Sequence, residues 1–188
     1  MSIKQTGIAE SIKGEIVSAV KGAGQVVNAA VDAVSSVVTN TVRNVAKIGT
    51  FSVESVADVV RGTLQGTVEV SADLGAAAKG LVLGVIRGSG HVGTQAFDTI
   101  GHTAGSIVKS TAELAGDVGS AAKGAVEGAV DGAKEVSLNV EEAASTAATG
   151  AVKAAYEVSA EVGTKVKDAM TGTIAGVKVV IKEPFKKS

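Results

Sequence analysis

Three short patterns in this sequence have residue types that could do chemistry. "GSGHVG", with Gly88, Gly90 and Gly93, matches the glycine fingerprint of dinucleotide-binding loops and follows the apolar run "LVLGVI". That chemistry needs a strand before the loop, a helix after it and βαβ units around it. No such alternation is present, so the pattern reads as a helix bend or a Gly-rich edge. His91 and His102, the only two histidines, stand eleven residues apart. They could form a ligand pair across subunits or a pH switch. The same eleven-residue column holds Lys47, Asp58, Glu69, Glu113, Glu135 and Glu157, which marks a solvated face, and a metal site needs three or four converging ligands. "SAVK" (18–21) and "SAAK" (120–123) carry the Ser-x-x-Lys spacing of a serine nucleophile without a partner motif. No enzyme, metal or cofactor is expected.

The recurrence of those patterns points to what organises the chain. Stepping by eleven from Val20 gives Val31, Val42, Val53, Leu64, Gly75, Ile86, Phe97, Val108, Gly119, Val130, Glu141, Val152, Gly163 and Ile174. A second apolar column runs through Val26, Val37, Ile48, Val59, Val70 and Leu81, whereas the step from Glu10 is mainly charged. Neither register needs an insertion between about 9 and 181. Eleven residues in three turns is close to the relaxed helical repeat. On such a helix the apolar columns fill one arc of roughly 130°, opposite the charged and hydroxyl residues. A seven-residue step fails early (Ile12, Ala19, Val26, Ala33, Asn40), which argues against a left-handed coiled coil. Period-two alternation is not sustained, so the Val and Thr content does not read as strand.

The expected fold is therefore all-α: one very long amphipathic helix, ~260 Å if continuous at 1.5 Å per residue, or a helical hairpin. The expected organisation is a tail over 1–8, repeat helix over 9–181 with a candidate bend at 87–94, and a basic tail over 182–188. The unbroken register argues mildly against a turn at that bend. Glycines four apart recur at Gly62/Gly66, Gly80/Gly84/Gly88, Gly101/Gly105, Gly124/Gly128/Gly132 and Gly172/Gly176. Such spacing places small residues on one helix face and lets a second backbone come close. These glycines are the expected packing edge, and the two apolar columns are the expected buried or surface-binding face.

Composition narrows the function classes. The 188 residues include no Cys, no Trp, one Tyr and three Phe, with 24 Gly. Disulfides, thiol catalysis and Cys-ligated metals are excluded. A net charge of −1 and few aromatics offer nothing to a nucleic acid. No uncharged run exceeds ten residues, against the about 18 a spanning helix needs, and no secretory leader is expected at "MSIKQTGIAESIKGE". A cytoplasmic location is expected, or the periphery of a membrane or lipid body.

Tandem eleven-residue stretches such as "GAVEGAVDGAKE" and "AAKGAVEGAVD" resemble those of synucleins, perilipin-type lipid-droplet proteins, apolipoproteins and late-embryogenesis-abundant stress proteins. The resemblance is one of repeat physics over nearly the whole chain. The Lys-Thr-Lys-Glu-Gly core of synuclein repeats is absent, and late-embryogenesis-abundant repeats are far more charged than this chain, whose mean hydropathy is +0.33. Membership would imply reversible binding of a lipid or droplet surface through the Val/Ala face, with Lys178, Lys182, Lys186 and Lys187 adding headgroup contact. The alternative expectation is a self-assembling structural protein, a bundle, tube or filament of copies packed through the Gly edges. A third is a protectant that is disordered until dried.

Overall fold

A computed structural model describes residues 3–23, 27–48, 52–91 and 93–182, and the side chains of 3–6 and 48 fall outside that description. The chain is all-helical as expected, but it is neither one long helix nor a hairpin. Among the described residues, eight helices of 10 to 22 residues follow one another: α1 (Ile3–Ala23), α2 (Val27–Ile48), α3 (Val53–Glu69), α4 (Leu74–Ser89), α5 (Thr94–Glu113), α6 (Val118–Glu135), α7 (Val140–Val158) and α8 (Ala160–Ala169). A two-residue antiparallel pair, β1 (Thr173–Ile174) with β2 (Val177–Lys178), follows α8.

The turns after α3, α5 and α6 are hidden in the repeat because they are spaced by multiples of 22 residues, two eleven-residue units. Helices α3, α5 and α6 end on Val70, Leu114 and Val136. The next residue, Ser71, Ala115 or Ser137, is left-handed with φ near 53–56°. The following N–H then reaches back five residues: Ala72 to the Thr67 carbonyl, Gly116 to Thr111 and Leu138 to Ala133, at 2.9–3.0 Å. These are Schellman closures, which satisfy carbonyls the helix end leaves unpaired. One residue later an N-cap starts the next helix: Asp73 Oδ1 accepts from Ala76 N–H at 2.6 Å and Asn139 Oδ1 from Glu142 N–H at 2.9 Å. The whole reversal fits inside the phase, so the register runs through it undisturbed. Left-handed backbone is costly for a residue with a Cβ. Ala115→Gly should therefore stabilise the protein by roughly 0.5–1 kcal/mol, read as a higher urea midpoint.

Successive helices alternate between two layers, and the most extensive packing lies within layers. Odd-numbered helices form one layer (α1, α3, α5, α7) and even-numbered helices the other (α2, α4, α6, α8). The pairs α1–α3, α2–α4, α4–α6 and α5–α7 run parallel. Gly80, Gly84 and Gly88 of α4 face Val31, Ser35 and Val42 of α2 in ascending order, and Gly62 and Gly66 of α3 face Ala9 and Lys13 of α1 likewise. Between the layers lies the core. Leu64, Leu81, Ile100 and Ile107 are among its largest members, and the α6 and α7 contribution is mainly alanine: Ala121, Ala125, Ala129, Ala144, Ala148 and Ala151, all fully buried.

Candidate functional site

The glycine edges seat one helix backbone on another. At Gly124 the space a Cβ would take is filled by the carbonyl oxygen of Gly75 on α4, at Gly128 by that of Lys79, and at Gly150 of α7 by that of Gly101 on α5. At Gly84 a Cβ would lie 2.7 Å from Val38 Cβ and 2.8 Å from the Ser35 carbonyl oxygen. Gly132 meets Ile86, and Gly105 sits more loosely, 3.2 Å from the Gly150 oxygen. Gly172 and Gly176 lie outside any helix, with φ of 102° and 80° at the hairpin. The substitution of backbone contact for side-chain contact suits a chain with few large residues.

Ion pairs tie the same neighbours together on the outer surface. Arg87 donates through Nε and Nη2 to both oxygens of Glu135, at 2.7 and 2.6 Å, and through Nη1 to Ser35 Oγ at 2.8 Å. One side chain thereby joins α2, α4 and α6. The Arg87 hydrogen bonds hold the Glu135 carboxyl below the usual carboxylate range. Lys13 pairs with Glu69, Lys79 with Asp131 and Lys109 with Glu157, each across parallel neighbours. These pairs are partly exposed, so they fix register more than they add stability.

The apolar columns point mainly inward. Val42, Val59, Leu64, Leu81, Val108, Val130 and Val152 are fully buried, and Val20, Val31, Ile86 and Ile174 nearly so. Val37, Val70 and Phe97 are half-buried against the core. Val53, the first residue of α3, is the exception at 52% exposed. Val26 and the Ile48 side chain lie outside the described residues, as do Lys186 and Lys187.

The patterns weighed for chemistry occupy structural positions. Ahead of "GSGHVG" stands α4, not a strand; Gly90 caps it in the left-handed region, and Gly93 precedes α5 without a side-chain cap. Val92 lies outside the described residues. His91 Nδ1 is 2.7 Å from Thr99 Oγ1, and His102 is exposed on α5. The Ser18 hydroxyl donates to the Gly14 carbonyl, and that of Ser120 to the Asp117 carboxylate. Neither serine is hydrogen-bonded to its lysine. Among the described residues no cluster of three or more His, Asp or Glu could hold a metal ion. The groove between α5 and α7, about 330 Å³, is lined by Gly101, Gly105 and Gly150 with charges of both signs, so it has no single-charge character.

Sequence reasoning missed two features. One is the buried Thr111 hydroxyl, which has no hydrogen-bond partner among the described residues; nothing in the eleven-residue column distinguishes it. The other is the terminal strap, described below, which follows the last helix.

The architecture defines a class: a two-layer stack of short amphipathic helices, in which parallel neighbours pack through glycine and the layers meet through Val and Ala. No protein-family model matches the chain, and no curated protein matches it. No helix among the described residues is long and apolar enough to cross a membrane.

Proposed function

We propose that this protein is a non-enzymatic amphipathic helical protein that binds a lipid or other apolar surface through its Val/Ala-rich face, at the cytoplasmic periphery of a membrane or lipid body. The observation that carries the reading is the single apolar plane of the stack. Nearly every described apolar column residue is buried within the stack, and the charged residues of each helix lie mainly at its surface. Separating the layers at the inter-helix turns would present that plane to an apolar surface without exchanging any polar residue for an apolar one. The alanine-rich seam between α6 and α7 favours such opening, since each alanine contributes little buried area. Helices of this kind lie in the interface plane and depend on buried apolar area for affinity.

Vesicle flotation with Ala129→Leu tests the reading. The added bulk overpacks the seam and should cost about 1–3 kcal/mol of folded stability. The same variant should float more completely with anionic vesicles and with an oil emulsion, because leucine adds apolar area once the layers part. Failure of the natural chain to float with either, or a destabilised variant that floats no better, would sink the proposal.

Self-assembly through the Gly edges is a second reading, favoured by one specific observation: Gly7, Gly14 and Gly22 on α1 face open space.

A further inference from the structure

The two ends of the stack are unlike. α1 meets α3 through Ala9 and Lys13. At 100° per residue, Ser11 and Ser18 lie about 160–180° round the helix from Ala9. They are exposed, and so are Gly7, Gly14 and Gly22 on the same flank. A Cβ at any of these three glycines would meet nothing within 4 Å, whereas every other helical glycine among the described residues has a neighbour against it. Glycine is unfavourable in a helix interior. At most other helical glycines the close approach of a neighbouring helix offsets that cost; at α1 nothing among the described residues does.

The opposite end is closed by the chain itself. After β2 the backbone runs extended along α7. The Val180 N–H donates to Ser145 Oγ and the Lys182 N–H to Thr149 Oγ1, each at 3.1 Å. Val179 is buried and Ile181 packs against the core. Ser145 lies about 140° round α7 from Gly150, the residue that faces α5. The strap 179–182 therefore occupies the flank on which a further helix of the odd layer would sit.

We propose that this strap is an end cap that holds copies of the chain apart, and that its displacement lets α7 of one copy receive α1 of a second. The partner is another molecule of this chain, seated parallel through Gly7, Gly14 and Gly22, so that it continues the packing already used between α1 and α3 and between α5 and α7. Because the joined surfaces differ, a pair of copies leaves one of each surface free and growth is head to tail. The inference stands apart from the lipid reading and supplies the self-assembly reading with its surfaces and its control.

Sedimentation velocity on the full chain, without lipid and over a concentration series, tests it with four proteins. The natural chain should keep the mass of one copy. Val179→Asp combined with Ile181→Asp releases the strap, and its weight-average mass should rise at least about twofold with concentration, as expected for open-ended association. Gly14→Leu alone should behave as the natural chain, and added to the released variant it should return the mass to that of one copy. Polymerisation of the natural chain would overturn the proposal. So would a released variant that stays single, or one whose growth is insensitive to Gly14→Leu, which is how aggregation of a misfolded chain would behave.

Discussion

Gly124→Ala is expected to destabilise the protein by about 2–3 kcal/mol, although alanine is the better helix former by up to ~1 kcal/mol. The reason is the identity of the obstructing atoms. A Cβ at Gly124 would fall on the Gly75 carbonyl oxygen, with the Gly75 carbonyl carbon and Cα at 2.8 and 3.0 Å. These are backbone atoms in the first turn of α4, held by the Asp73 cap, and no flexible side chain can move aside. The α4 and α6 backbones would have to part, loosening the Lys79–Asp131 and Arg87–Glu135 pairs beyond the contact. Gly14→Ala supplies the control. That position faces open space on α1, so the same substitution should stabilise by up to ~1 kcal/mol through helix propensity alone. Opposite shifts of the two urea midpoints would show that glycine edges are packing devices. Two shifts in the stabilising direction would show that the α4–α6 approach is wrong.

Leu81→Ala carries a comparable or larger effect, a loss of about 2–5 kcal/mol. Leu81 is fully buried in α4 and is among the largest side chains in the core. Most other core residues are Val and Ala. Valine is stiff at χ1 and alanine has nothing to extend, so neither can reach into the vacated space. The cavity should persist, which places the cost toward the upper part of that range. Val68→Ala, at a residue 42% exposed near the end of α3, should change stability by less than ~0.5 kcal/mol. Thermal or urea unfolding of the pair reads the contrast; a small loss at Leu81 would mean that the layers collapse onto the gap.

Helical class and the inward columns were legible because both depend on local periodicity. Val42, Leu64 and Val130 lie on one arc whatever the helix is packed against. The turns after α3, α5 and α6 were not legible, unlike the glycine-marked bend at 87–94, for a physical reason that the three closures make plain. Ser71, Ala115 and Ser137 take the left-handed region without being glycine, and no proline marks the reversal. The usual punctuation of a helix end is missing, and the 22-residue spacing keeps the phase intact on either side. The glycines were legible as an edge, since spacing alone brings Gly124, Gly128 and Gly132 together. Their partners, Gly75, Lys79 and Ile86, were not, because an edge does not specify which backbone will lie on it.

By itself, then, the sequence determined the helical backbone, its amphipathic arc and its glycine edges. Those properties come from residues within a few turns of one another. Tertiary structure alone decided where the helices stop, how they alternate between layers, and that the chain's own helices cover the arc. Those outcomes depend on contacts between residues about fifty apart, such as Gly124 with Gly75 and Gly84 with Ser35, whose energies no local pattern encodes.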